Sequence, residues 1–195
     1  MTAFIDYKSP EKDILVNVFN DYSNKGIPLL DSINISSIIE NLIYEEVEEY
    51  YENGSLKSKY TLRFGEKDGL CREWWENGQI ETECGYRDGK IEGLFQRWWD
   101  NGQKKTECHY RVSDPNRNEN IDGIFQAWWK NGQKWIECTY RDGNFEGLYQ
   151  DWFENGQKKA ECTYRDDKYE GLYKEWDREG KLIKECIYRD DEEVK

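Results

Sequence analysis

One segment recurs along this chain so regularly that it limits the fold more than any other feature. Gly-Leu or Gly-Ile opens a copy at Gly69, Gly93, Gly123, Gly147 and Gly171, at spacings of 24, 30, 24 and 24 residues. Asn-Gly, or Glu-Gly in the last copy, follows at Gly78, Gly102, Gly132, Gly156 and Gly180. Glu-Cys comes next at Cys84, Cys108, Cys138, Cys162 and Cys186, and Tyr-Arg two residues later at Tyr86, Tyr110, Tyr140, Tyr164 and Tyr188. Self-similarity at a fixed period of this size signals a stack of like supersecondary units.

Each unit reads as a β-hairpin. GLFQRWW and KKTECHYR are aromatic-rich runs separated by Asp-Asn-Gly-Gln, and Asp-Gly turns such as Asp88-Gly89 and Asp142-Gly143 lead to the next copy. Asn and Gly tolerate the positive φ that tight turns require, which makes Asn-Gly and Asp-Gly strong hairpin signals. Thirteen of the 16 glycines sit at these recurring places, so glycine here marks turns rather than flexible linkers. Consecutive hairpins joined by short turns make a meander.

A weaker copy precedes the clear ones. A shift of 24 residues lays Tyr50-Tyr51 over Trp74-Trp75, Asn53-Gly54 over Asn77-Gly78 and Tyr60 over Cys84. Terminal repeats are commonly atypical. The expected fold is therefore mainly β: an elongated, twisted single-layer antiparallel meander of about six hairpin repeats and about twelve strands. The repeats divide as 44–68 (degenerate), 69–92, 93–122, 123–146, 147–170 and 171–195. Residues 1–43 fall outside the pattern and read as a helical cap, with Ser9-Pro10-Glu11 as a helix start. Six extra residues within VSDPNRNENI account for the one long spacing, and a polar insertion with Pro115 suits a surface loop between hairpins.

The pattern G-L-x-x-x-W-W-x-N-G-Q-x-x-x-E-C-x-Y-R-D-G-x-x-E-G resembles the variant form of the MORN (membrane occupation and recognition nexus) repeat. The resemblance implies β-hairpins in an elongated sheet and a role as an interaction scaffold. Some bacterial members of that family are described as antitoxins, and multi-repeat members without an assigned role occur in large DNA viruses. The family name also brings membrane or phosphoinositide tethering into consideration.

Composition narrows the function. Charged residues make up 35% of the chain and hydrophobic ones 36%, lean for a buried core, although 15% aromatics supply large apolar areas. A net charge of −13 repels phosphate, which disfavours nucleic acid and anionic membrane as partners. The start MTAFIDYKSPEK lacks the basic and apolar regions of a signal peptide, and no run is long enough to span a bilayer. The expected location is the cytoplasm, or the host cytoplasm if the chain is viral.

Which residues share a face depends on the turn. If Asp100-Asn101-Gly102 is a three-residue loop, Trp98 pairs with Lys104 and Leu94 with Cys108. If Asn101-Gly102 alone forms the turn, the strands slip by one and Phe95 meets Cys108. The first arrangement is preferred because it gathers Leu, Trp, Cys and Tyr into one apolar ladder. It leaves Phe95, Arg97, Trp99, Glu107 and Arg111 on the opposite, surface-like side.

Chemistry is sparse. Cysteines one repeat apart lie two strand spacings from each other, roughly 9–10 Å, beyond the roughly 4.4–6.8 Å between Cα atoms that a disulfide allows. They read as reduced core residues in a reducing compartment. Cys71 is the exception, since the second register would set it directly against Cys84. His109 is the only histidine and there is no C-x-x-C pair, so neither a zinc site nor a nucleophile–histidine pair is expected. No phosphate-cradling loop occurs, and no cofactor or small-molecule substrate is implied.

Aromatic density remains. One residue of each Trp pair is needed to cover the sheet. The second, Trp75, Trp99, Trp129 or Phe153, together with Phe95, Phe125, Tyr149 and Tyr173, would make an aromatic strip for a protein partner. The same rings would equally serve as cross-strand packing pairs. The expected function is a non-enzymatic repeat scaffold binding another protein, with an antitoxin-like neutraliser and a membrane tether as the alternatives.

Overall fold

A computed structural model describes residues 44–111 and 120–194. The expected helical cap over 1–43 and the inserted residues 112–119 lie outside the described residues. What is described is a single antiparallel sheet with no crossovers. Its strands are β1 (Tyr44–Tyr50), β2 (Leu56–Arg63), β3 (Glu66–Lys67), β4 (Gly69–Trp74), β5 (Ile80–Arg87), β6 (Lys90–Trp98), β7 (Lys104–Arg111) and β8 (Asn120–Ile121). They continue as β9 (Gly123–Trp128), β10 (Lys134–Arg141), β11 (Asn144–Trp152), β12 (Lys158–Arg165), β13 (Lys168–Tyr169), β14 (Gly171–Trp176), β15 (Leu182–Arg189) and β16 (Glu192–Val194).

Each of β3, β8 and β13 runs into the next strand after a single residue, Asp68, Asp122 or Glu170. The corresponding stretches of the neighbouring repeats are the unbroken strands β6 and β11. The main path thus has thirteen strands, with β16 adding one edge to the six expected hairpins.

Two kinds of turn alternate along the sheet. At one margin the Trp75 N–H donates to the Gln79 carbonyl and the Gly78 N–H to the Trp75 carbonyl, both at 2.8 Å. This encloses Glu76-Asn77-Gly78 as a three-residue loop with Gly78 at φ 83°. The same bonds close the loops at Gly102, Gly132 and Gly156, so the three-residue reading of Asn-Gly is the one adopted. At the other margin two consecutive residues take positive φ, as in Asp88-Gly89 (48° and 77°) and Asp142-Gly143 (50° and 87°). Such two-residue loops match the right-handed strand twist. In the last two repeats Asp167 (66°) and Asp191 (69°) stand where glycine stood, a conformation aspartate tolerates better than most residues.

The opening glycines are not at turns. Cys84 pairs with Phe95 while Gly85 pairs with Glu92, so Gly93 and Leu94 are extra residues on β6. Gly93 enters this bulge at φ 82°, a left-handed conformation that costs other residues about 1–2 kcal/mol.

Successive turns are tied to one another. Each loop asparagine accepts from the backbone two residues on, as Asn101 Oδ1 does from Gln103 N at 3.1 Å. Its amide nitrogen then donates to the next loop: Asn77 to Asp100 O (2.7 Å), Asn101 to Lys130 O (2.8 Å), Asn131 to Glu154 O (2.7 Å) and Asn155 to Arg178 O (2.9 Å). At the other margin, the acid before the opening glycine accepts from the following turn in four repeats, Asp68 and Asp122 from the Asp88 and Asp142 N–H groups at 3.5 Å. Glu146 takes the Asp166 N–H at 3.3 Å and Glu170 the Asp190 N–H at 3.2 Å. The recurring Tyr-Arg supplies the counter-charge, with Arg87–Glu92 at 2.9 Å, Arg141–Glu146 at 3.4 Å and Arg165–Glu170 at 3.6 Å.

Two substitutions separate these roles. Asn101→Asp keeps the acceptor that closes its own loop and removes the donor to the next, so it should lower stability by about 1 kcal/mol, the net value of one hydrogen bond. Gly102→Ala should cost about 1–2 kcal/mol for a left-handed non-glycine residue. Urea denaturation of both variants checks this, and an unchanged midpoint for Gly102→Ala would contradict the turn described.

Candidate interaction surface

The faces of the sheet are decided by a bulge just beyond each three-residue loop. Trp98 pairs with Lys104 as the loop dictates, but Arg97 then pairs with Thr106, leaving Lys105 without a cross-strand partner. From there Phe95 faces Cys108 and Leu94 faces His109. The expected ladder of Leu, Trp, Cys and Tyr is therefore corrected. Three-residue loops form, yet one extra residue per hairpin shifts every later partner, and leucine and cysteine lie on opposite sides.

The cysteine side is the packed one. Phe95, Phe125, Tyr149 and Tyr173 stand directly opposite Cys108, Cys138, Cys162 and Cys186. Phe95 meets Tyr110 edge-on at 5.6 Å, and the rings of Phe125, Tyr149 and Tyr173, with Tyr140, Phe145, Tyr164, Tyr169 and Tyr188, form a chain of edge-on, tilted and stacked contacts. It includes Tyr140–Phe145 at 4.5 Å, Phe145–Tyr164 at 5.1 Å and Tyr164–Tyr169 at 4.7 Å. Aromatic pairs of this kind contribute about 0.5–1.5 kcal/mol each beyond the area they bury. On the same side Cys71, Cys84, Cys108, Cys138 and Cys162 are each no more than 3% exposed. Burial pushes the Cys108 thiol up to about 11 and the Cys138 and Cys162 thiols up to about 12. These three are small apolar fillers, protonated at neutral pH.

The second aromatic of each pair ties one hairpin to the next. The indole N–H groups of Trp75, Trp99 and Trp129 donate to the carbonyls of Trp98, Trp128 and Trp152, each at 3.1 Å. Tyr51 makes the same reach to Trp74 O with its hydroxyl, at 2.7 Å. Phe153 has no such donor, and Arg178 lies over its ring at 5.4 Å. Trp129 also meets Trp135 at 5.0 Å. All eight members of the expected strip (Trp75, Phe95, Trp99, Phe125, Trp129, Tyr149, Phe153 and Tyr173) are half-buried. The structure does not bring them together as one exposed strip: four cover the cysteines and four lie at the turn margin.

The other side carries the exposed apolar groups. Leu70, Leu94, Ile124, Leu148 and Leu172, the residue after each opening glycine, are 43–61% exposed, and Ile187 opposite Leu172 is 54% exposed. Their cross-strand partners Gly85, His109, Thr139 and Thr163 leave them uncovered. The polar groups beside them are satisfied among themselves. Gln96, Gln126 and Gln150 each donate to the glutamate opposite, Glu107, Glu137 or Glu161, at 2.7 Å. Lys104, Lys134 and Lys158 pair with the same three glutamates. Arg72–Glu83 closes the pattern at one end, at 2.6 Å. These aliphatics were hidden from the sequence reading because Gly-Leu looked like the apolar start of a core strand. The opening glycine's bulge and the extra residue at Lys105 turn the leucine outward.

Among the described residues, no group of three or more His, Cys, Asp or Glu side chains is placed to hold a metal ion. The family model described as MORN repeat variant matches residues 46–63, 67–88, 91–111, 121–142, 145–166 and 169–190, six repeats over well more than half of the chain. The match indicates no catalytic domain. A search of the curated proteins found no match.

Two predictions follow from this geometry. Trp99→Phe keeps an aromatic side chain, smaller than the indole, and removes the N–H donor, so it should lower stability by at least about 0.5–1.5 kcal/mol in urea denaturation. No change would mean that the indole bond contributes nothing. The lysine and glutamine partners hold the Glu107, Glu137 and Glu161 carboxyls below the ordinary carboxylate range. A carboxyl lowered on folding stabilises in full above its unfolded value, about 4.3, and loses that effect as pH falls through the lower folded value. The melting temperature should therefore drop below about pH 4, and the triple Gln variant should flatten that acid limb.

Proposed function

We propose, from the premise that this chain belongs to the MORN repeat variant family, that it is a non-enzymatic scaffold holding another protein against its leucine face. One observation carries the reading. The face presents an exposed aliphatic residue once per repeat, Leu70 through Leu172, on a background whose charges are paired within the sheet. Exposed apolar surface rimmed by satisfied polar groups is the common mark of a protein contact. Repeats two strands apart space these residues at roughly 9–10 Å, so a matching partner offers apolar side chains at that interval.

The aromatics are a weaker choice of contact, because Phe95, Phe125, Tyr149 and Tyr173 already cover the cysteines, and Trp75, Trp99 and Trp129 use their N–H groups within the sheet. Net charge supports a protein over a phosphate-bearing partner. At −13, approach to nucleic acid or an anionic bilayer is repulsive. A toxin as the partner would be a special case of the same surface.

The test is affinity capture with wild type and Leu94→Asp/Leu148→Asp, the bound protein being identified by mass spectrometry. Both positions are exposed, so the variant should melt like wild type. Truncating interface anchors typically costs more than about 2 kcal/mol, so the partner's affinity should fall by about thirtyfold or more. Undiminished capture by a folded variant would overturn the reading.

A further inference from the structure

We infer that Cys71 and Cys84 form an oxidisable dithiol that closes to a cross-strand disulfide when a hydroperoxide reaches it. The inference does not depend on the leucine face. In the next four repeats the residue opposite the Glu-Cys cysteine is Phe95, Phe125, Tyr149 or Tyr173. In this repeat alone it is a second cysteine, and Cys71 pairs directly with Cys84 across β4 and β5. Directly opposed residues of an antiparallel pair have Cα atoms about 4.5–5.5 Å apart, within the roughly 4.4–6.8 Å a disulfide spans. The two thiols are free and within hydrogen-bonding reach of each other.

The cover over this pair also differs. Above the cysteine row the matching position is Ile91, Ile121, Phe145 or Tyr169 in the later repeats, but Lys67 here. Lys67 Nζ lies 3.8 Å from Cys71 Sγ and over the rings of Tyr60 at 4.4 Å and Tyr86 at 5.2 Å. A lysine arm is a lid that can leave for water, whereas an isoleucine or a tyrosine ring is held by its apolar contacts. Its ammonium also favours a thiolate beneath it. The Cys84 thiol's hydrogen bond, opposed by burial and helped by Lys67, lowers Cys71, while the same contact and burial push Cys84 up. Glu73 is the one acid acting on both thiols, and it opposes the thiolate.

Those roles assign the steps. The Cys71 thiolate attacks a peroxide oxygen, the O–O bond breaks, and Cys71 becomes a sulfenic acid with release of hydroxide. Cys84 sulfur then displaces the sulfenic hydroxyl, its thiol proton leaving with that group as water, and the S–S bond forms. Two thiols and one hydrogen peroxide give one disulfide and two waters, the sulfurs supplying two electrons. Elsewhere along the row cysteines meet rings, so the oxidation has no second site.

The experiment exposes the folded full chain to hydrogen peroxide, quenches, alkylates under denaturing conditions and maps the peptides. Two of the six thiols should disappear into a Cys71–Cys84 cross-link that dithiothreitol reverses. Cys71→Phe, which copies the later repeats, should form no cross-link. Should that variant fail to fold by circular dichroism, Cys84→Ser replaces it and should accumulate a dimedone-trappable sulfenic acid at Cys71. Lys67→Ile should slow the closure. Six surviving thiols in wild type, a cross-link between any other pair, or no adduct at Cys71 in Cys84→Ser would overturn the inference. Equal closure rates in wild type and Lys67→Ile would overturn the part given to the lysine.

Discussion

In a sheet of one layer, the offset between paired strands decides which side chains gather on each face, because a slip of one residue carries a whole strand's side chains to the other side. Here that offset is set twice per hairpin near the Asn-Gly margin. The loop at Gly102 pairs Trp98 with Lys104, and the extra residue Lys105 then moves Thr106, rather than Lys105, opposite Arg97. The make-up of both faces descends from this step. It puts Phe95 over Cys108 and sends Leu94 to the outer side. It also sets Cys71 against Cys84 in the repeat whose aromatic is replaced.

Among the described residues there is no second layer, and the sheet takes its cohesion from nearest neighbours. Ladder hydrogen bonds are supplemented at both margins by side chains that reach one repeat along: the loop asparagines and indoles on one side, the acids before the opening glycines on the other. The recurring asparagines, indoles and acids therefore bridge two copies, which explains why these polar positions repeat along with the apolar ones. Among the described residues the apolar core is thin, five buried cysteines and Ala127 with a cover of rings. Stability in such arrays is approximately a sum of repeat and interface terms.

Much of this was legible in the sequence. Six hairpins, their antiparallel meander, the left-handed glycine in a three-residue loop and the degenerate first copy all follow from the spacing of Asn-Gly and Glu-Cys. The bulge was not, and the reason is physical. Its extra residue is Glu81, Lys105, Trp135, Lys159 or Ile183 in successive repeats, with neither glycine nor a common side chain to mark it. The indole bonds were hidden for a related reason, since whether Trp99 reaches the Trp128 carbonyl depends on how neighbouring hairpins are offset. The unmarked bulge is also why the sequence placed Leu94 on the cysteine side, whereas in the structure it faces His109 and is exposed.

The bulge-set register is thus the claim on which the rest depends, and it can be measured at one pair of residues. Nuclear Overhauser contacts in isotope-labelled protein report which side chain sits across from Cys108. The account predicts contacts from the Phe95 ring to the β protons of Cys108 and to the ring of Tyr110, 5.6 Å away between centroids. Contacts from the Leu94 methyl groups to Cys108, with none from Phe95, would contradict it.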